Sequence, residues 1–128
     1  MAEQPAAISE AESRVMEVLW QHAPQTSEEI VSVLAEPTGW HEKTIRTLLN
    51  RLLRKGAISA RKEGRRYLYS PQLRREDWQH QESRSLLDRV FGGKVAPFLA
   101  HFSQHEKLTA KDVAELRKLI EAIDNKEH

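Results

Sequence analysis

Apolar residues recur at helical spacing along most of the chain, with one interruption near its middle. Ile8, Val15, Met16, Val18, Leu19 and Trp20 form a broad stripe that predicts a first helix over about Glu10–Gln21. Ser9 and Glu12 open it as a capping box, in which the hydroxyl accepts from the N3 amide and the carboxylate reaches back to the N-cap amide. His22-Ala23-Pro24 ends it, because proline disfavours helix in the residue before it. Thr26-Ser27-Glu28-Glu29 is a second capping signal. Ile30, Val31, Val33 and Leu34 carry a second helix to about Ala35, after which Glu36-Pro37-Thr38-Gly39 reads as a turn. Ile45, Leu48, Leu49, Leu52 and Leu53 then fall at i, i+3, i+4, i+7 and i+8, one face of a third helix over about Glu42–Lys55. Gly56 stands just past its end, where a positive φ costs glycine little.

The interruption follows at once. Ala57–Lys62 and Arg66–Ser70 alternate with a period of two and predict two strands joined by Glu63-Gly64-Arg65. Tyr67 and Tyr69 share one face of this hairpin and are expected to pack within the sheet. Pro71 closes it. A fourth helix over about Arg74–Phe91 is polar in its first half and carries Trp78, Leu86, Leu87, Val90 and Phe91. Gly92-Gly93 breaks it. A fifth begins near Lys94 with Val95, Phe98, Leu99 and Phe102, its Pro97 tolerable only in the first turn. Thr109 caps a sixth with Asp112 at N3, and Val113, Leu116, Ile120 and Ile123 follow an a/d-like spacing. Residues 1–7 are polar or small and are expected to fray.

This pattern divides the chain into residues 1–72, a small mostly helical domain with a β-hairpin, and residues 73–128, three helices with one-sided apolar surfaces. So short a helical segment cannot enclose that much apolar surface alone. The alternatives are packing back on the first domain or, as expected here, dimerisation through Trp78, Leu86, Leu87, Phe91, Phe98, Leu99, Phe102, Leu116 and Ile120.

Composition adds exclusions. The 128 residues include no cysteine, so disulfides, thiol catalysis and cysteine-held metals are out. No apolar run suits a signal peptide or a membrane span, and the cytoplasm is the expected compartment. The net charge is only +1, but its distribution is uneven. Residues 1–40 carry one Lys or Arg against seven Asp or Glu, and residues 41–75 carry eleven against two. On the third helix Lys43, Thr47, Asn50 and Arg54 point away from the apolar face, with Arg46 and Arg51 beside them; Arg61, Lys62, Arg65 and Arg66 crowd the hairpin tip. Such cations repel one another unless a polyanion is near, which makes nucleic acid the first candidate partner. The stretch from Trp40 to Pro71 reads as a recognition helix followed by a β-wing.

Three blocks, ISEAESRVMEVLW, WHEKTIRTLLNRLLRKGAI and GRRYLYSP, with LTAKDVAELRKLI near the end, resemble the BlaI/MecI/CopY family of bacterial repressors. The resemblance covers roughly residues 8–123. It implies a winged helix-turn-helix N-terminal domain, a C-terminal helical dimerisation domain, and repression of a target gene by a homodimer on a palindromic operator. It places Lys43, Thr44, Arg46, Thr47 and Arg51 at DNA, with Arg65 and Arg66 on the backbone. The penicillinase branch further implies a β-lactamase-type resistance gene and a sensor-linked protease that cuts an Asn-Phe bond before the last helix. The matching bond here is His101-Phe102, a candidate proteolytic site that keeps the Phe and replaces the Asn. The copper-responsive branch's cysteine hook is absent. The third helix begins at His41, where the family usually carries a Ser or Thr cap.

Lys43, Thr44, Arg46, Thr47 and Asn50 are thus expected to meet bases and phosphates, and Arg61, Lys62, Arg65 and Arg66 to meet phosphates. Trp20 and Trp40 are expected in the core, and Trp78 at an interdomain or dimer contact. His101 and His105 are four apart, but no third ligand has obvious spacing, so no metal or other cofactor is expected. No catalytic arrangement stands out, and the chain is not expected to be an enzyme. The reading from a different class is a winged-helix protein-interaction adaptor, which would carry an apolar or mixed face where this chain carries cations.

Overall fold

The structure, a computed structural model, describes residues 7–127; the fraying expected of the first residues falls mostly on residues 1–6, outside them. Its elements are α1 (Glu10–Gln21), α2 (Ser27–Thr38), α3 (Glu42–Arg54), β1 (Ile58–Glu63), β2 (Arg66–Pro71), α4 (Arg75–Val90), α5 (Val95–His105) and α6 (Ala110–Glu127). The chain is mostly helical with one antiparallel hairpin, a winged helix-turn-helix followed by a helical segment.

Both expected capping boxes at the start of the chain form. Ser9 Oγ accepts from the Glu12 amide at 3.1 Å, and Glu12 Oε1 accepts from the Ser9 amide at 2.7 Å. Thr26 and Glu29 repeat the exchange at 3.2 and 2.9 Å. α2 runs further than its proline suggested. Pro37 lies in the last turn, where its missing N–H costs one bond. The Thr38 hydroxyl donates to Leu34 O at 2.6 Å, and Gly39, at φ 72°, donates to Ala35 O at 2.9 Å. The expected turn is therefore the end of the helix and its left-handed glycine stop.

The described residues form two compact units, one ending at Glu82 and one beginning at Ser83. In the first, α1, α2 and α3 enclose Val15, Met16, Leu19, Ile30, Ile45, Leu49 and Leu52, all essentially inaccessible to water. Each such side chain contributes about 1.5–3 kcal/mol of hydrophobic stabilisation. Trp20 and Trp40 are partly buried against this core. Trp20 Nε1 donates to Leu73 O at 2.9 Å, and its ring lies 5.3 Å from that of Trp78. That stack holds the first turns of α4 to the first unit, so the division falls inside α4.

The hairpin pairs Ile58 with Pro71 through to Glu63 with Arg66. Its loop is Gly64-Arg65, with Gly64 at φ 65°, the left-handed first position that a two-residue hairpin turn of this kind demands. A further pairing was not foreseen. Gln25, between α1 and α2, exchanges backbone bonds with Tyr69 at 3.1 and 2.8 Å. The buried Gln25 amide also donates to Val18 O and His22 O. The wing is thereby tied to the loop that precedes α2.

In the second unit no described residue is buried. Gly92 and Gly93, both at positive φ, turn the chain between α4 and α5, and Arg84 braces the turn through Asp88 and Gly93 O. Phe98, Leu99 and Phe102 of α5 face Leu116 and Leu119 of α6 across an open apolar groove. Thr109 and Asp112 form the third capping box at 3.0 and 3.1 Å. No helix among the described residues is long and apolar enough to cross a membrane.

Candidate nucleic-acid interface

The amphipathic spacing of α3 decides which side chains are free. Ile45, Leu48, Leu49 and Leu52 are buried, and that burial fixes the opposite face outward. Lys43, Thr44, Thr47, Asn50, Arg51 and Arg54 are all exposed there. The Thr47 hydroxyl donates to Lys43 O at 3.0 Å, which sets its rotamer. Lys, Arg and Asn on one helix face supply the donors and acceptors that read base edges in a major groove.

Two basic residues, one on α3 and one at its C-cap, behave differently from this row. Arg46 is exposed but engaged: its Nε and Nη2 reach Glu42 Oε1 at 3.0 and 2.6 Å, and its Nη1 reaches Ser27 Oγ at 3.0 Å. Glu28 Oε1 stands 3.9 Å away. The bond to Glu42 raises the pKa of this guanidinium above its ordinary value against the opposing effect of burial, with the charges of Glu42 and Glu28 adding to the rise. At the other end Lys55, the C-cap of α3, turns inward. Its Nζ lies 2.6 Å from Glu12 Oε1 and 3.0 Å from Ala7 O. Burial pushes the Glu12 carboxyl up, but the Lys55 ammonium and the Ser9 amide and hydroxyl outweigh it and leave the pKa lowered. A partner 43 residues away leaves no local signal in the sequence.

The wing follows directly. Ala57 N donates to Leu52 O at 3.0 Å, and Gln72 N and Leu73 N both donate to Ala57 O, so the hairpin base is fixed to the end of α3. Arg61, Lys62, Arg65 and Arg66 are all exposed. The register separates them: Lys62 stands opposite Tyr67 on one face, and Arg61 opposite Leu68 on the other. Arg61 is within 3.4 Å of Glu63. The two tyrosines, expected to pack together, differ. Tyr69 packs against the core, whereas Tyr67, farther out on the same face, is 50% exposed. A hairpin this narrow has core beneath its base and none beneath its tip.

The remaining candidates lie elsewhere. Leu86, Phe102 and Ile120 are exposed, while Leu87, Phe91, Phe98, Leu99 and Leu116 are half-buried. Trp78 belongs to the first unit, against Trp20. His101 and His105 stack on α5 with ring centroids 4.5 Å apart. Among the described residues no group of three or more His, Asp or Glu is placed to hold a metal. The His101-Phe102 bond lies within α5. An exposed helix row of donors beside a four-cation hairpin is an arrangement for binding a polyanion.

Comparison with known proteins agrees with this geometry. Residues 8–122 match the penicillinase repressor family. The chain is 34% identical over 119 residues to the penicillinase repressor of Bacillus licheniformis, covering 93% of each. It is 31% identical over 126 residues to that of Staphylococcus aureus, covering 98% of this chain and 100% of the relative. Among solved structures it is similar to monomeric BlaI of Bacillus licheniformis in complex with the blaP half-operator. The TM-score is 0.51 at 40% identity, over 60% of this chain and 93% of that one.

Proposed function

The chain belongs to the penicillinase repressor family, a DNA-binding transcriptional repressor and not an enzyme, and on that premise we propose that it acts as a homodimer on a palindromic operator. The observation that carries the reading is the exposed row on α3 standing directly before a wing with four exposed cations.

In this reading α3 enters the major groove. Lys43, Thr44, Thr47, Asn50 and Arg51 face the bases and their flanking phosphates, each good bidentate pair contributing about 1–3 kcal/mol of discrimination. Arg61, Lys62, Arg65 and Arg66 hold the backbone, since a hairpin tip beside the groove meets phosphate first. A protein-interaction adaptor would need an apolar or mixed surface here, and the surface is cationic and polar.

The second unit supports dimerisation. Its helices bury no residue fully; Phe102 and Leu119 stand exposed at the α5–α6 groove, and Ile120 and Ile123 of α6 are exposed as well. A second copy covers such a surface, and two-fold symmetry then calls for a palindrome. The names of the relatives support a resistance gene of the β-lactamase type as the target. Release by a sensor-linked protease at His101-Phe102 completes the proposal; that bond has to leave helical geometry before it can be cut.

Selection of bound duplexes from a random pool tests the reading. Enrichment of a palindrome with half-sites about one helical turn apart, or a multiple of it, is expected. A pool that stays random after repeated selection would contradict it.

A further inference from the structure

We infer that Arg46 is a positioning residue, which sets the start of α3 against the start of α2, and not one of the side chains that contact nucleic acid. The inference rests on the DNA-binding reading above and assigns Arg46 differently from its neighbours on α3.

The first observation concerns caps. α1 and α2 each begin in a complete capping box, whereas α3 begins at His41, whose side chain makes no cap bond. The helix that has to be aimed most accurately therefore lacks the device that anchors the other two. The second observation is what stands in its place. One guanidinium spends three of its nitrogens within the protein: Nε and Nη2 on Glu42, the first residue of α3, and Nη1 on Ser27, the first residue of α2. The planar guanidinium fork thus spans the first turns of both helices of the helix-turn-helix, with Glu28 at 3.9 Å as a second counter-charge.

The third observation is electrostatic. A cation beside two helix N-termini stands where the dipoles disfavour it. Glu42 and Glu28 hold it there, and they would also repel a phosphate brought to the same guanidinium. Lys43 and Arg51, exposed on the same helix, are left to meet DNA. A bound DNA phosphate would have to displace Glu42 from Arg46, leaving that carboxylate beside the DNA.

The test compares Arg46→Ala, Glu42→Gln and the double variant on a selected operator duplex over a range of salt. A positioning role gives a loss of operator affinity in both single variants. The slope of log affinity against log salt stays unchanged, and the double variant is no weaker than the weaker single one. Glu42→Gln is decisive, because removing a negative charge near DNA would otherwise tighten binding. In the free protein the Ile45 amide, which donates to His41 O at 3.2 Å, should exchange with solvent faster in either variant. A salt slope reduced by about one unit per protomer in Arg46→Ala, as loss of a phosphate contact gives, would overturn the inference. So would Glu42→Gln binding as well as or better than the wild type. Wild-type protein that failed to bind duplex DNA would refute the DNA-binding reading first, and with it this one.

Discussion

Lys55 Nζ lies 2.6 Å from Glu12 Oε1, and this pair joins the end of the recognition helix to the beginning of α1. Glu12 is 1% exposed, and its second oxygen is buried without a hydrogen-bond partner, so the carboxylate depends on Lys55 and Ser9. Removing the lysine leaves a buried charge short of its counter-ion. Lys55→Ala should destabilise the first unit by about 3 kcal/mol, the lower end for such a loss because the lysine is partly solvated. Urea denaturation followed by tryptophan fluorescence measures it. Lys111→Ala, which removes an exposed 4.0 Å pair with Glu115, should change nothing measurable.

The same pair sets an acid limit. The Glu12 pKa is lowered from its ordinary value of 4.5, so the folded state binds fewer protons than the unfolded state in that range. The stability it contributes is complete above that ordinary value and is lost as pH falls through the lower, folded value. Glu29, lowered by its bonds to the Thr26 amide and hydroxyl, adds to the slope in the same direction. Denaturation midpoints measured downward from neutral pH should fall below about pH 4.5. In Glu12→Gln the fall should be shallower, and an equally steep fall would remove Glu12 from the account.

Periodicity alone exposed most of this fold. The stripe Ile45, Leu48, Leu49, Leu52 placed α3 and its outward row, because burial of one helix face determines the other. Local hydrogen-bonding chemistry exposed the caps, since Ser9–Glu12, Thr26–Glu29 and Thr109–Asp112 act within three residues of one another. Contacts between distant residues left no such trace. Gln25 pairing with Tyr69, Lys55 with Glu12 and Arg46 with Ser27 each depend on how elements pack, and nothing in their spacing announces a partner. Tyr67 shows the same limit: alternation put it on the face of Tyr69 but could not say where the core beneath that face ends.

The division of labour between helix and wing is open to direct comparison. Lys43→Ala and Thr47→Ala should change which bases the protein prefers. Arg65→Ala should lower affinity on every sequence by a similar factor and reduce the salt slope by about one unit per protomer. Competition binding with a panel of single-base operator variants separates the two outcomes. A change of base preference without a uniform loss in Arg65→Ala would displace the wing from its backbone role.

The exposed apolar row of the second unit gives a dimer test. Phe102 is 41% exposed and Ile120 59% exposed, so a charge at either disturbs no filled core. Phe102→Asp and Ile120→Asp should yield folded monomers by sedimentation equilibrium, with unchanged helical content and weaker binding to a full palindrome than the wild type. Dimers of undiminished affinity in both variants would mean that another surface joins the protomers.

The most direct test of the central claim, that α3 and the wing together bind duplex DNA, is a salt titration of the wild-type protein on a selected palindromic duplex. With several phosphates met by each protomer, affinity should fall by about 10³-fold or more between about 50 and about 200 mM salt, along a straight line in log–log form. An affinity that stays flat across that range would contradict it.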